Sequence, residues 1–116
     1  LLEIIQDENT LGVVCACMSP EISLSVLDKF LNCEVPFGFK INLWGVDEPG
    51  PIQTFNTAKP NEIGVNPNQS LGKRDNFDAN EFYNLSKKFI EGGATILGGC
   101  CETKPEHISS ISSFKQ

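Results

Sequence analysis

Cys100 and Cys101 are adjacent, follow directly on Gly98-Gly99, and stand at the end of a short apolar run. Two neighbouring thiols at such a place admit three chemistries: metal ligation, redox exchange or plain packing. Thiols next to each other can face one point only where the strand's alternation breaks, and two preceding glycines free the backbone to take an unusual path. A third thiol from another strand end would complete a trio around a soft or borderline metal. Cys15 and Cys17, which both close the first apolar run, are the candidates. Zinc held by three protein ligands keeps a fourth position for substrate, the catalytic pattern as opposed to the closed structural one. The Cys-x-x-Cys spacing of fingers and ribbons is absent. Cys33 reads as a small buried hydrophobe. His107, the single histidine, follows Thr103-Lys104-Pro105-Glu106 and reads as a surface or helix-packing residue rather than a ligand. Asn42 reads as a polar residue near the end of a strand.

The elements that must position these side chains alternate. Leu11 to Cys17 is an apolar run of strand length, consistent with a strand covered on both faces. Ser19 then caps a helix with Pro20 at its first position, and Ile22, Val26, Leu27, Phe30 and Leu31 recur at helical spacing. Val35 to Trp44 is expected to form a second strand. Asp78 caps another helix with Glu81 three residues on; Phe82, Leu85, Phe89 and Ile90 form its apolar face, and Gly92-Gly93 ends it. Ala94 to Leu97 reads as a short buried strand running into the glycine pair. Thr103 to Glu106 has capping-box spacing for a last helix carrying Ile108, Ile111 and Phe114. Strands alternating with helices predict an α/β fold with parallel strands and right-handed crossovers. Residues 45–77 form a long polar stretch after the second strand, on the side where active-site loops sit in βα proteins.

The chain has 116 residues, with 9 Lys and Arg against 15 Asp and Glu, for a net charge of -6. One domain at most fits this length. The acidic balance argues against nucleic acid as a partner. No apolar run approaches the roughly 20 residues that would cross a bilayer, and no secretory signal pattern is visible. Five cysteines, an odd set, suit free thiols in a reducing compartment better than a disulfide framework. The opening Leu1-Leu2-Glu3 reads as the middle of a longer polypeptide.

The segment from Gly93 to Ile111, GATILGGCCETKPEHISSI, resembles the C-terminal signature of the homocysteine S-methyltransferase family: a strand ending Gly-Gly-Cys-Cys, a short turn, then Thr-x-Pro-Glu-His-Ile. Upstream, Cys17-Met18-Ser19-Pro20 is similar to the family's Asn-Cys-x-x-Pro segment after the sixth barrel strand, and Val35-Pro36 through Asn42 to its seventh strand. The resemblance implies a (β/α)8 barrel of which residues 1–116 hold the last three βα units. It implies Zn2+ on Cys17, Cys100 and Cys101, with Asn42, Gly98 and Gly99 on the substrate side. It implies methyl transfer from a small donor, of the S-methylmethionine kind, to the thiolate of homocysteine, giving methionine in the cytoplasm. Departures exist: Ala16 replaces the usual Asn, Cys15 is a rival ligand, and Glu102 and Lys104 change the charge at the rim. Cys17 is preferred because Pro20 keeps the family spacing. Three βα units would leave strand edges that the rest of the barrel or another chain must cover. A truncated, non-catalytic zinc- or thiol-binding module and a redox switch remain the alternatives.

Overall fold

The computed structural model describes residues 8–45 and 71–115. Three strands, β1 (Val13–Met18), β2 (Phe37–Ile41) and β3 (Ile96–Gly99), form one parallel sheet in the order β1-β2-β3. Three helices, α1 (Pro20–Leu27), α2 (Ala79–Glu91) and α3 (Pro105–Ser110), follow the strands in turn. The α/β class and parallel pairing are therefore as the alternation predicts. Most of the expected loop at 45–77 lies outside the described residues.

Local chemistry accounts for the helix starts. Ser19 accepts the Ile22 amide at 3.3 Å, with Pro20 at the first helical position. Asp78 Oδ1 accepts the amides of Asn80 and Glu81, each at 2.9 Å. The third cap differs from expectation. The N-cap is Lys104, not Thr103, and His107 Nδ1 reaches back to accept the Lys104 amide at 2.9 Å. The ring performs the task expected of Glu106 because it stands at the third helical position once the start shifts by one residue. Thr103 turns its hydroxyl to the Cys100 carbonyl instead.

The core lies between the sheet and the helices. Phe30, Phe37, Phe39, Ile41, Leu43, Phe82, Leu85, Phe89, Ala94 and Ile111 form one buried cluster, against which Val13 and Cys15 also pack. Phe39 stacks on Phe89 with centroids 4.5 Å apart, and Phe37 on Phe30 at 5.1 Å. Leu31 departs from the expected stripe and is 63% exposed. A 3-10 turn at Asp28–Phe30 tightens the repeat from 3.6 to 3 residues per turn and rotates it outward.

The strands also differ from expectation. β1 is covered on one face only among the described residues, since Val14 is 37% exposed and Ala16 is exposed. β3 begins two residues late, at Ile96, and is half-buried. The cause is the turn after α2, where Gly93 takes a φ of +94°. Ala94 joins the core, and its amide bonds back to the Phe89 carbonyl.

Candidate metal centre

Parallel strands bring their carboxyl ends to one edge of the sheet, and the candidate thiols stand there. Cys17 lies near the end of β1, Asn42 directly after β2, and Cys100-Cys101 directly after β3. In a regular strand Cys15 and Cys17 would share a face, because side chains alternate with a period of two. They do not share it. Ala16 pairs with Lys40 and Met18 with Ile41, so two residues of β1 oppose one of β2 and the ladder bulges at Cys17. Cys17 has a φ of +57°, in the left-handed region. Cys15, in register with Phe39, stays on the helix side against the core.

The exit from β2 holds this geometry in place. Asn42 is 1% exposed. Its Nδ2 donates to the Cys17 carbonyl at 2.7 Å, and its Oδ1 accepts the Trp44 amide at 3.2 Å. The Asn42 amide donates to the Met18 carbonyl and the Leu43 amide to the Cys101 carbonyl, both at 2.9 Å; the Cys100 amide donates to Ile41 at 2.8 Å. Both thiol-bearing strand ends are thus bonded to the same stretch of backbone, Ile41 to Leu43.

Cys100 and Cys101 face one point for a reason other than the one expected. Gly98 and Gly99 remain in β3 without positive φ. The break comes one step later, in the turn Cys100–Thr103. Glu102 there has a φ of +61°, and both the amide and the hydroxyl of Thr103 donate to the Cys100 carbonyl. The glycines supply room instead: a Cβ on Gly99 would collide with the Thr103 side chain, and one on Gly98 would meet Lys40 Cγ at 3.3 Å.

The result is a cluster of three sulfurs. Cys17 Sγ lies 3.7 Å from Cys101 Sγ, which lies 3.9 Å from Cys100 Sγ, and all three fall within 4.8 Å of one another. Zinc–thiolate bonds of about 2.3 Å in a tetrahedron put sulfurs about 3.8 Å apart. The spacing and the donor type fit such an ion. Cys15 is not part of the cluster.

The cluster's electrostatics follow from packing three thiols together. Burial, then hydrogen bonds with Cys100 and Cys101, push the Cys17 thiol up to about 12. Burial and the charge of Cys100 raise Cys101. At Cys100 burial acts in the same direction, but hydrogen bonds from Cys17 and Cys101 and the nearby Lys40 cation outweigh it and lower the value. Without metal, Cys100 is the thiol of the trio that ionises most readily. Burial alone raises Cys15.

Other residues take structural parts. His107 is buried under the Phe82 ring at 5.5 Å, with Nε2 3.1 Å from the Phe77 carbonyl. Nδ1 accepts, so Nε2 carries the proton and the ring is committed to packing, as its place on a helix suggests. Cys33 packs against the core, its thiol donating to the Val35 carbonyl at 3.4 Å. The sequence reading overlooked Arg74, which clamps Glu21 with two bonds of 2.6 and 2.7 Å and donates from Nε to the Trp44 carbonyl at 3.1 Å. Nothing local marks it, because its partners are 53 and 30 residues away.

The parallel βα sheet brings three thiols together at its carboxyl edge, a group that could hold a metal ion. A family model described as homocysteine S-methyltransferase matches residues 1–114, and the chain belongs to that family. Homocysteine S-methyltransferase 1 of Saccharomyces cerevisiae (strain ATCC 204508 / S288c) is 38% identical over 48 residues, which are 41% of this chain and 15% of that protein. The chain therefore matches a small fraction of this relative's length. No solved structure matches the chain.

Proposed function

We propose that Cys17, Cys100 and Cys101 hold a zinc ion, and that the chain supplies the metal-binding part of an enzyme that methylates homocysteine to methionine. The observation that carries this reading is the sulfur trio, set at tetrahedral spacing by a bulge and a turn that serve no other evident purpose. Family membership supports the reaction class. The one-sided parallel sheet supports the last three units of a (β/α)8 barrel, with the exposed face of Val14, Ala16 and Lys40 turned to its interior.

Bound there, zinc supplies a Lewis-acidic centre that lowers the pKa of a thiol at its fourth position and orients the sulfur as nucleophile. The chain's own residues do the rest. Asn42 fixes the direction of Cys17, and the Cys100–Thr103 turn fixes the other two sulfurs. To hold the ion the three thiols would each have to lose a proton, Cys17 most reluctantly. The positive φ values at Cys17 and Glu102 store backbone strain of about 1–3 kcal/mol each, a feature common where ligands must be aimed. The partners under this reading are homocysteine, a small methyl donor and the chain segment that completes the sheet edges. No described helix is long and apolar enough to cross a membrane.

The test is zinc content after purification under reducing conditions. Wild type and Cys15→Ser are expected to carry one equivalent, and Cys17→Ser and Cys101→Ser much less. Full zinc in Cys17→Ser with loss in Cys15→Ser would overturn the ligand set, and absence of zinc from wild type would overturn the metal reading.

A further inference from the structure

Lys40 is the single charged residue in the three strands, and the metal reading gives it no task. It is the penultimate residue of the central strand, in register with Ala16 on one side and Gly98 on the other. Both neighbours are small, so the lysine rises from a shallow trough on the sheet face away from the aromatic core. Its stem leans toward β3: a Cβ placed on Gly98 would lie 3.3 Å from Lys40 Cγ, 3.9 Å from Cδ and 4.0 Å from Cε. Two residues beyond Gly98 is Cys100, whose thiol feels the lysine's charge. Among the described residues no carboxylate pairs with Lys40, and its side chain is exposed. A lysine carries a compact, strongly hydrated charge on a flexible stem. In an uncharged strand beside a thiol cluster, it is placed to receive an anion.

We infer that Lys40 is a substrate-recognition residue that binds the carboxylate of the thiol substrate when its sulfur occupies the fourth metal position. This rests on the zinc methyltransferase reading. A divalent ion on three thiolates is already anionic, and a substrate bringing both a thiolate and a carboxylate adds to that charge. A cation on the same face offsets the repulsion where the carboxylate arrives. Only a short alkyl spacer separates sulfur from carboxylate in homocysteine, so both ends must be satisfied close together. The charge that reaches the thiol cluster along the Gly98 side is this ammonium. Gly98 has a part as well, since a side chain there would press on the stem.

The test uses the whole chain loaded with cobalt(II), whose thiolate charge-transfer absorption reports thiol binding without turnover. Homocysteine is compared with 3-aminopropanethiol, the same molecule without its carboxylate. Wild type should bind homocysteine about tenfold more tightly, the size expected of one charge-assisted contact. Lys40→Met should erase that preference while keeping full cobalt uptake, and Lys40→Arg should restore part of it. If Lys40→Met preserves the preference, or weakens both thiols equally, the inference is overturned while the metal reading stands. If wild type takes up no cobalt, or shows no charge-transfer change with either thiol, the metal reading falls and this inference with it.

Discussion

Replacing Asn42 with alanine tests whether one buried amide sets the metal site. The side chain is almost wholly enclosed and bridges two backbone groups, the Cys17 carbonyl at 2.7 Å and the Trp44 amide at 3.2 Å. Truncation removes both bonds. Losing a partner for a buried polar group costs about 1–3 kcal/mol, so the pair sums to roughly 2–6 kcal/mol, less whatever water can enter. Part of this appears as lower stability. The rest appears at the metal, because the bond to the Cys17 carbonyl holds that residue at positive φ. Groups that orient a ligand typically contribute 10–100-fold in metal affinity, and about thirtyfold is expected here. The assay is competitive zinc titration against a chromophoric chelator. Asn42→Asp keeps the shape but turns an oxygen toward the Cys17 carbonyl, so it should be at least as damaging. Ser86→Ala, at a buried polar position on α2 away from the thiols, is the control and should leave zinc affinity unchanged. A folded Asn42→Ala protein with wild-type zinc affinity would refute the argument, whatever its stability.

Without metal, the raised Cys17 thiol makes the folded state resist ionisation; its stabilising effect is complete below pH 9 and lost as pH climbs toward 12. Urea unfolding of metal-free protein across that range should show falling stability, with a smaller decline in Cys17→Ser. The Arg74 guanidinium, against the cost of partial burial, holds the Glu21 carboxyl below its ordinary value of 4.5. Its contribution is therefore present above that pH and lost on acidification, so stability curves for wild type and Glu21→Gln should converge in acid. The pair is partly exposed, and their gap at neutral pH should be at most about 1 kcal/mol. His107→Ala removes the ring's two hydrogen bonds and its packing on Phe82, and should lower stability by roughly 2–3 kcal/mol while leaving zinc stoichiometry at its wild-type value. Gly99→Val should disrupt the turn to Thr103 and reduce zinc content, detectable by metal analysis of the soluble protein.

Periodic and capping signals carried much of the fold. Ser19-Pro20 and Asp78 start helices where they stand because a side-chain oxygen three residues from an amide is a local arrangement. The limits of the strands were less legible, since they depend on register against β2 and on the turn at Gly93 rather than on the apolar run itself. Grouping Cys17 with Cys100 and Cys101 came from the resemblance, and the spacing alone left Cys15 and Cys17 equal. What separates them is a register shift against a strand some 20 residues away, which no pattern within β1 records. Glycine before the cysteines suggested freedom of the backbone there, whereas the left-handed residues are Cys17 and Glu102, types that rarely adopt it. The Lys104–His107 cap was hidden by a threonine at a spacing that mimics a cap one residue early.

The bulge at Cys17 can be read as arithmetic. A strand counts its residues odd and even, and Cys15 and Cys17 share a parity, so an unbroken count assigns them one fate. One additional residue before the strand ends resets the count for whatever follows. Two chemically identical side chains, a single residue apart, thereby enter different environments: one against phenylalanine, the other beside two sulfurs from a distant part of the chain. Deleting Ala16 would restore the count by making the two cysteines immediate neighbours, with Cys17 taking the place opposite Lys40 on the face away from the phenylalanines and losing the bulge that now sets its direction, although no thiol had been removed.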